Sequence, residues 1–138
     1  MKYLLVTLFV GLSSLVHSAD LPISTSPEGA KVYIISPANG ETVNKIVTVK
    51  FGLQGMGISP AGLDKAKTGH HHLIIDGKNI PAAGKVMGSE VMHFGGGQTE
   101  KTIELSSGKH TLQLILGNYL HIPHNPPVMS EKITVFVK

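Results

Sequence analysis

The chain has 138 residues, with 12 lysines and no arginine, 9 acidic residues and no cysteine. This length suits one domain, the absence of cysteine excludes a disulfide framework, and a small positive charge without arginine gives no indication of a nucleic-acid-binding surface. Packing and hydrogen bonds must therefore hold the fold together.

The first 19 residues have the order of a secretory signal peptide. Lys2 supplies a positive start, residues 4–10 form an apolar stretch, and small residues follow. The sequence predicts a signal peptide over 1–19, cleaved within Ser18–Asp20, and a periplasmic or secreted protein with no transmembrane span in its mature form. An uncleaved amino-terminal anchor is the alternative, although the apolar run is short for a span.

The rest of the chain has the pattern of short strands and turns. Residues 20–30 are rich in Pro and Ser and form an extended lead-in, and residues 31–138 form one domain. No segment has helical periodicity, apart from at most one helical turn within 61–67. The pattern predicts an all-β fold, an immunoglobulin-like two-sheet antiparallel sandwich of about seven strands. Its clearest strands cover 31–36, 43–53, 70–76, 98–105, 110–116 and 133–137.

Histidine placement carries the functional information. Of the eight histidines, seven lie between His70 and His124. The three consecutive histidines begin a strand, so His70 and His72 share one face and His71 takes the other. Two imidazoles at this spacing can chelate one ion. A solvated strand end, or rings that brace a loop, are the alternatives.

Two further segments carry histidines in special surroundings. His93 follows Met92 and precedes three glycines, which favour a tight loop. His121 and His124 lie in a loop that three prolines stiffen. His110 begins a strand on its apolar face, and we expect it to be a hydrogen-bonded structural residue.

The strings at 69–76 (GHHHLIID), 93–100 (HFGGGQTE), 108–114 (GKHTLQL) and 121–128 (HIPHNPPV) resemble domain of unknown function family 4399, a family of small exported bacterial proteins. The resemblance extends over nearly the whole predicted mature chain. It implies that the histidine segments belong to the family pattern, and it implies no activity. Where the family pattern has Leu-Gly-Asp, this chain has Asn118 as the third residue, so any contribution of a carboxylate there would be lost.

These observations predict a metal-binding module. The candidate ligands are His70, His72, His93, His121 and His124, with Met92 as a soft ligand. Imidazole with thioether in a cysteine-free exported protein suits copper, and zinc is possible with imidazole alone.

Two other functions compete with metal binding. One is a non-enzymatic sandwich that binds an unknown protein or ligand and whose histidines form a structural hydrogen-bond network. The other is a metal-dependent hydrolase, which would need Glu100 or Asp76 as a general base. No cysteine nucleophile, serine elbow or amino-terminal histidine brace supports a specific reaction, so the sequence favours a protein that is not an enzyme.

Overall fold

The computed structural model describes residues 21–78 and 80–138, and the predicted signal peptide lies outside this range. Nine strands occur in the described residues, and three of them have only two residues. The prediction of an all-β, two-sheet sandwich is confirmed. The strands are β1 (Lys31–Ser36), β2 (Thr42–Val43), β3 (Ile46–Gln54), β4 (Gly57–Ile58), β5 (Thr68–Ile75), β6 (Met92–His93), β7 (Glu100–Glu104), β8 (Gly108–Gly117) and β9 (Ile133–Val137).

One sheet has three antiparallel strands in the order β1-β3-β7. Its central strand is rich in β-branched residues, which favour the extended backbone. Val49 and Phe51 alternate with polar neighbours and are buried, whereas Thr48 pairs with Thr102 through a hydrogen bond between hydroxyl groups of 2.8 Å. This sheet therefore has one buried apolar face and one exposed face, and the strands also expose Tyr33 and Ile46.

The second sheet has six strands, and β5 lies near its middle. The order is β2-β9-β8-β5-β4, and β6 also pairs with β5. The long pairs β5–β8 and β8–β9 are antiparallel, and the short pairs β2–β9 and β4–β5 are parallel. The segment 61–67 forms turns without a helix.

The six-stranded sheet is covered on both faces. The main core lies between the sheets and includes Leu73 and Leu114, both fully buried. Burial of one such side chain contributes about 1.5–3 kcal/mol. A second, smaller apolar cluster covers the outer face and contains Ile74, Met87, Val91 and Ile115. Side chains on either face of β5 are thus removed from solvent.

Candidate metal centre

Strand alternation separates the three consecutive histidines. His71 faces the main core, where its ring centroid lies 5.1 Å from that of Phe51 and its Nδ1 donates a hydrogen bond of 3.2 Å to the carbonyl of Gln98. His70 and His72 project from the opposite face because successive side chains of a strand alternate. β5 therefore presents His70 and His72 together on the outer face of the sheet.

The short strand β6 brings a third histidine to this face. His93 is the register partner of His72, and directly opposed residues of an antiparallel pair project on the same side. The glycine loop that follows closes with a hydrogen bond of 3.2 Å from the Gly97 N–H to the Phe94 carbonyl. A Cβ atom at Gly95 would overlap the ring of His93, so glycine is required there for the ring to keep its place.

The fourth histidine comes from the loop after β8. His121 has a φ of 62°, a left-handed conformation that costs a residue other than glycine about 1–3 kcal/mol. The buried side chain of Asn118 supports this turn, since its Oδ1 accepts hydrogen bonds from the N–H groups of Leu120 at 2.9 Å and Ile122 at 3.0 Å. The carbonyl of Asn118 also accepts the His121 N–H at 2.9 Å. Asn118 therefore shapes the turn that carries His121.

We call His70, His72, His93 and His121 the four-histidine group. One ring nitrogen from each residue lies within 4.8 Å of the other three. His70 Nε2 and His121 Nδ1 share a hydrogen bond of 3.0 Å. The ring centroids of His93 and His121 are 4.4 Å apart, and those of His72 and His121, the widest pair in ring contact, are 5.9 Å apart. This arrangement can hold a metal ion.

Burial keeps the inner part of the group uncharged. His70 and His72 are almost completely buried, His121 is half-buried and His93 is exposed. Desolvation, followed by the charge of His121, lowers the pKa of His70 to about 4. Desolvation, followed by the charge of His70, lowers the pKa of His72 to about 3. Both rings are therefore neutral at pH 7, the form of imidazole that binds metal ions.

Several ring nitrogens of the buried histidines lack hydrogen-bond partners. Among the described residues these are His70 Nδ1 and both ring nitrogens of His72, together with Nε2 of His71 on the opposite face. Leaving such a buried polar atom unpaired costs about 1–3 kcal/mol. No Asp or Glu of the described chain belongs to the group, so the donors are imidazole nitrogens alone. The group thus combines clustered imidazoles with buried nitrogen atoms that have no partner.

His124, another predicted ligand, lies outside the four-histidine group. Its Nε2 donates a hydrogen bond of 3.2 Å to the Thr68 carbonyl, and its Nδ1 lies 3.4 Å from the Leu116 carbonyl. A Cβ atom at Gly69 would lie 2.9 Å from the Cε1 atom of His124. The structure therefore places this ring among backbone carbonyls between β5 and the proline-rich loop.

Met92 also lies outside the group. It is the register partner of Leu73 and packs against the main core, whereas the adjacent His93 projects to the opposite face. The period of two along a strand explains this separation. Adjacency in sequence made Met92 attractive as a ligand, but adjacency within a strand puts two side chains on opposite faces.

Two residues near the group were not singled out as site residues from the sequence. The sequence distinguishes Asn118 only because it replaces an aspartate of the family pattern. Its role in shaping the His121 turn depends on contacts across the loop. Met87 lies in an irregular segment whose pattern assigns no face to its side chain. In the structure it is buried in the outer cluster, and its N–H donates a hydrogen bond of 2.8 Å to the carbonyl of His121.

His110 is hydrogen-bonded, as its position predicted. Its Nδ1 donates to the carboxylate of Asp76 at 2.6 Å, and its Nε2 donates to the carbonyl of Ser106 at 2.9 Å. The protonated ring donates from both nitrogens, whereas in the neutral ring Nε2 can accept from the Ser106 hydroxyl, 3.2 Å away. Asp76, suggested above as a general base, therefore serves an ion pair away from the four-histidine group.

Within residues 21–78 and 80–138, no helix is long and apolar enough to span a bilayer. Neither the curated proteins nor the solved structures include a significant match to the chain. A family model does match, and it covers residues 49–138, more than half of the chain and all of the four-histidine group. The chain therefore belongs to the family described as Domain of unknown function (DUF4399).

Proposed function

We propose that this protein is an exported metal-binding module and that the four-histidine group binds copper. One observation carries the proposal. Four imidazoles from two strands and one loop converge, and the buried rings among them have nitrogen atoms with no other partner. A metal ion supplies the electron-pair acceptor that these nitrogens lack.

The size of the group fits one ion. Bonds of about 2.0–2.1 Å in a tetrahedral site hold ligand atoms roughly 3.4 Å apart. The hydrogen-bonded pair of His70 and His121 nitrogens is already at 3.0 Å, and the widest separation is 4.8 Å. We expect metal binding to draw the rings together, with the exposed ring of His93 moving most.

The donor set favours a borderline transition metal. Imidazole suits copper, zinc, iron and nickel, whereas calcium and magnesium prefer oxygen. Copper binds nitrogen sites more tightly than the other common divalent ions of the first transition row. Zinc is the competing ion, and the identity of the metal is the first quantity to measure.

A structural hydrogen-bond network is the weaker explanation for these histidines. A network of that kind stabilises the fold only when its buried nitrogens are paired. Here one hydrogen bond joins two rings, and both nitrogens of His72 are unpaired. The arrangement raises the energy of the metal-free fold, and binding of an ion would offset that cost.

Export supports copper as the metal. The amino-terminal sequence has the order of a signal peptide, and the chain contains no cysteine that oxidation could damage.

Amino-terminal sequencing of the protein from a periplasmic fraction should give a start at or just after Ala19. Recovery of an intact amino terminus from the membrane fraction would contradict export as a processed protein.

Titration of the purified processed protein tests the metal proposal. Cu(I), Cu(II) and Zn(II) are added separately, and the free ion is measured with a competing chelator. We expect one ion per chain, with a dissociation constant for copper below roughly 1 μM. Binding weaker than this for all three ions would overturn the proposal, and tighter binding of zinc than of either copper ion would change the metal.

A further inference from the structure

We infer that Met87 is a specificity-determining residue of the four-histidine group, whose thioether supplies a soft ligand that favours Cu(I). This inference rests on the proposed function and adds a residue and an oxidation state to it. It replaces Met92 with a methionine from a different part of the chain.

Gly117 allows Met87 to approach the histidines. A Cβ atom at Gly117 would lie 2.6 Å from His72 Cε1 and 2.8 Å from Met87 Cε, well inside van der Waals contact. The lack of a side chain at Gly117 therefore lets the methyl end of Met87 and the ring of His72 lie close together above β8. Gly117 is also the register partner of His70, so this close approach is on the face that carries the group.

The backbone ties Met87 to a second histidine. Its N–H donates a hydrogen bond of 2.8 Å to the carbonyl of His121. Its side chain is buried, with 6% exposure, and packs in the outer cluster with Ile74 and Ile115. Met87 is thus held beside His121 by its main chain, and its side chain is fixed by the outer cluster near His72.

The chemistry of the thioether distinguishes the oxidation states of copper. Thioether sulfur is a soft donor that selects Cu(I), whereas imidazole serves Cu(I), Cu(II) and Zn(II) alike. Methionine is unbranched and has three rotatable bonds, so the sulfur, one bond from the methyl carbon, can turn towards an ion bound by His72. A leucine at this position would fill the cluster and provide no donor.

Met92 provides a matched control. It is the thioether next to His93 in sequence, but it packs against the main core on the opposite face. Met87→Leu and Met92→Leu each remove one sulfur and keep an apolar side chain of similar volume, which a core usually tolerates. Circular dichroism and thermal unfolding of the metal-free variants check that both have folded.

The experiment measures affinities for Cu(I) and Zn(II) by chelator competition in the processed wild type and in both variants. We expect Met87→Leu to weaken Cu(I) binding at least about tenfold, the smallest loss in affinity that is typical when a residue around a metal site is replaced. The same variant should change Zn(II) binding less than about twofold. Met92→Leu should leave both affinities at the wild-type value. Equal Cu(I) affinity in the two variants, or equal losses for Cu(I) and Zn(II) in Met87→Leu, would overturn the inference.

X-ray absorption of the Cu(I)-loaded protein provides an independent measurement. The chain has no cysteine, so any sulfur bound to copper belongs to a methionine. We expect a sulfur neighbour in the wild type and in Met92→Leu, and nitrogen neighbours alone in Met87→Leu. Copper bound to nitrogen alone in the wild type refutes the role of Met87 and leaves the proposed function standing, whereas failure of the wild type to bind copper refutes both.

Discussion

His110 and the four-histidine group differ in what their ring nitrogens contact. His110 has a partner at each nitrogen, the Asp76 carboxylate at Nδ1 and Ser106 at Nε2. In the four-histidine group, both nitrogens of the buried His72 are unpaired, and the titratable groups that lower its pKa are other imidazoles. His110 and three of the four clustered histidines lie on strands of the same six-stranded sheet.

This difference in pairing distinguishes a histidine that stabilises the fold from histidines that are available to a ligand. Partners shift the pKa of His110 upward, which means that the folded state stabilises the charged ring. Burial shifts the pKa of His72 downward, which means that the folded state disfavours the charged ring. A paired histidine contributes to folding, whereas an unpaired buried histidine costs folding energy and keeps its lone pair free for a ligand.

The largest expected effect is the loss of copper affinity when the buried, unpaired His72 is replaced with leucine. We expect His72→Leu to weaken copper binding more than about 100-fold, beyond the loss typical of outer-shell changes, because a ligand disappears. The metal-free variant should be as stable as the wild type or more stable, since an unpaired buried polar group is replaced by an apolar one. Chelator competition and urea unfolding measure the two quantities.

His110→Leu is the matched control for this variant. It removes a paired histidine and should leave copper affinity unchanged while lowering the free energy of unfolding by up to about 1 kcal/mol. If His72→Leu destabilises the metal-free fold by several kcal/mol and leaves copper affinity intact, then His72 belongs with His110 as a structural residue, and the comparison fails.

A smaller effect is expected from the turn that positions His121. Asn118→Ala removes the acceptor for two backbone N–H groups, so the left-handed turn at His121 loosens. We expect a loss of about tenfold in copper affinity, as for an outer-shell partner, with a folded protein by circular dichroism.

Asn118→Asp tests how the turn is held. The aspartate keeps an oxygen that accepts both N–H groups, so copper affinity should stay within a few-fold of the wild type. The amide of Asn118 also donates hydrogen bonds of 3.2 Å to the Pro22 carbonyl and to the Ser24 hydroxyl, and the aspartate cannot donate. A tenfold loss in Asn118→Asp would show that these amino-terminal contacts, and not the turn, position His121.

The sequence predicted the main strands because they are short, alternating and bounded by turns. Alternation over 110–116 places Leu112, Leu114 and Leu116 on one face, and all three are fully buried in the main core. The three two-residue strands were not predicted as separate strands, since a pair of residues carries no period. Their positions depend on pairing with neighbours that are distant in the chain.

The site was predictable in part for the same reason. The alternation of β5 joins His70 to His72, and strand geometry alone would also have separated Met92 from His93. The roles of Asn118 and Met87 depend on loop conformation and on the lack of a side chain at Gly117. No local pattern encodes these contacts, so they required the folded structure.

The smallest expected effect is the pH dependence of the His110–Asp76 pair. The hydrogen bond from His110 to Asp76 raises the pKa of His110 above 6.5, so its stabilisation is complete below pH 6.5 and is lost as the pH rises through the raised pKa. For Asp76, burial raises the pKa, but hydrogen bonds from Thr111 and His110 outweigh burial and lower it below 3.8. That stabilisation is present above pH 3.8 and is lost as the pH falls through the lowered pKa.

The pair therefore stabilises the fold most between about pH 4 and 6.5. Asp76 is 49% exposed, and solvent screening limits the contribution to a few tenths of a kcal/mol, up to about 1 kcal/mol. Asp76→Asn keeps an acceptor for the Thr111 N–H and tolerates the φ of 53° at this position. The lowered pKa values of His70 and His72 make the metal-free protein more stable as the pH rises from 5.5 to 8.5, and they do so equally in the wild type and in Asp76→Asn. Urea unfolding at the two pH values should therefore show that the free energy of unfolding of the wild type exceeds that of Asp76→Asn by more at pH 5.5 than at pH 8.5. An equal difference between the two proteins at both pH values would mean that the ion pair does not distinguish His110 from the unpaired histidines.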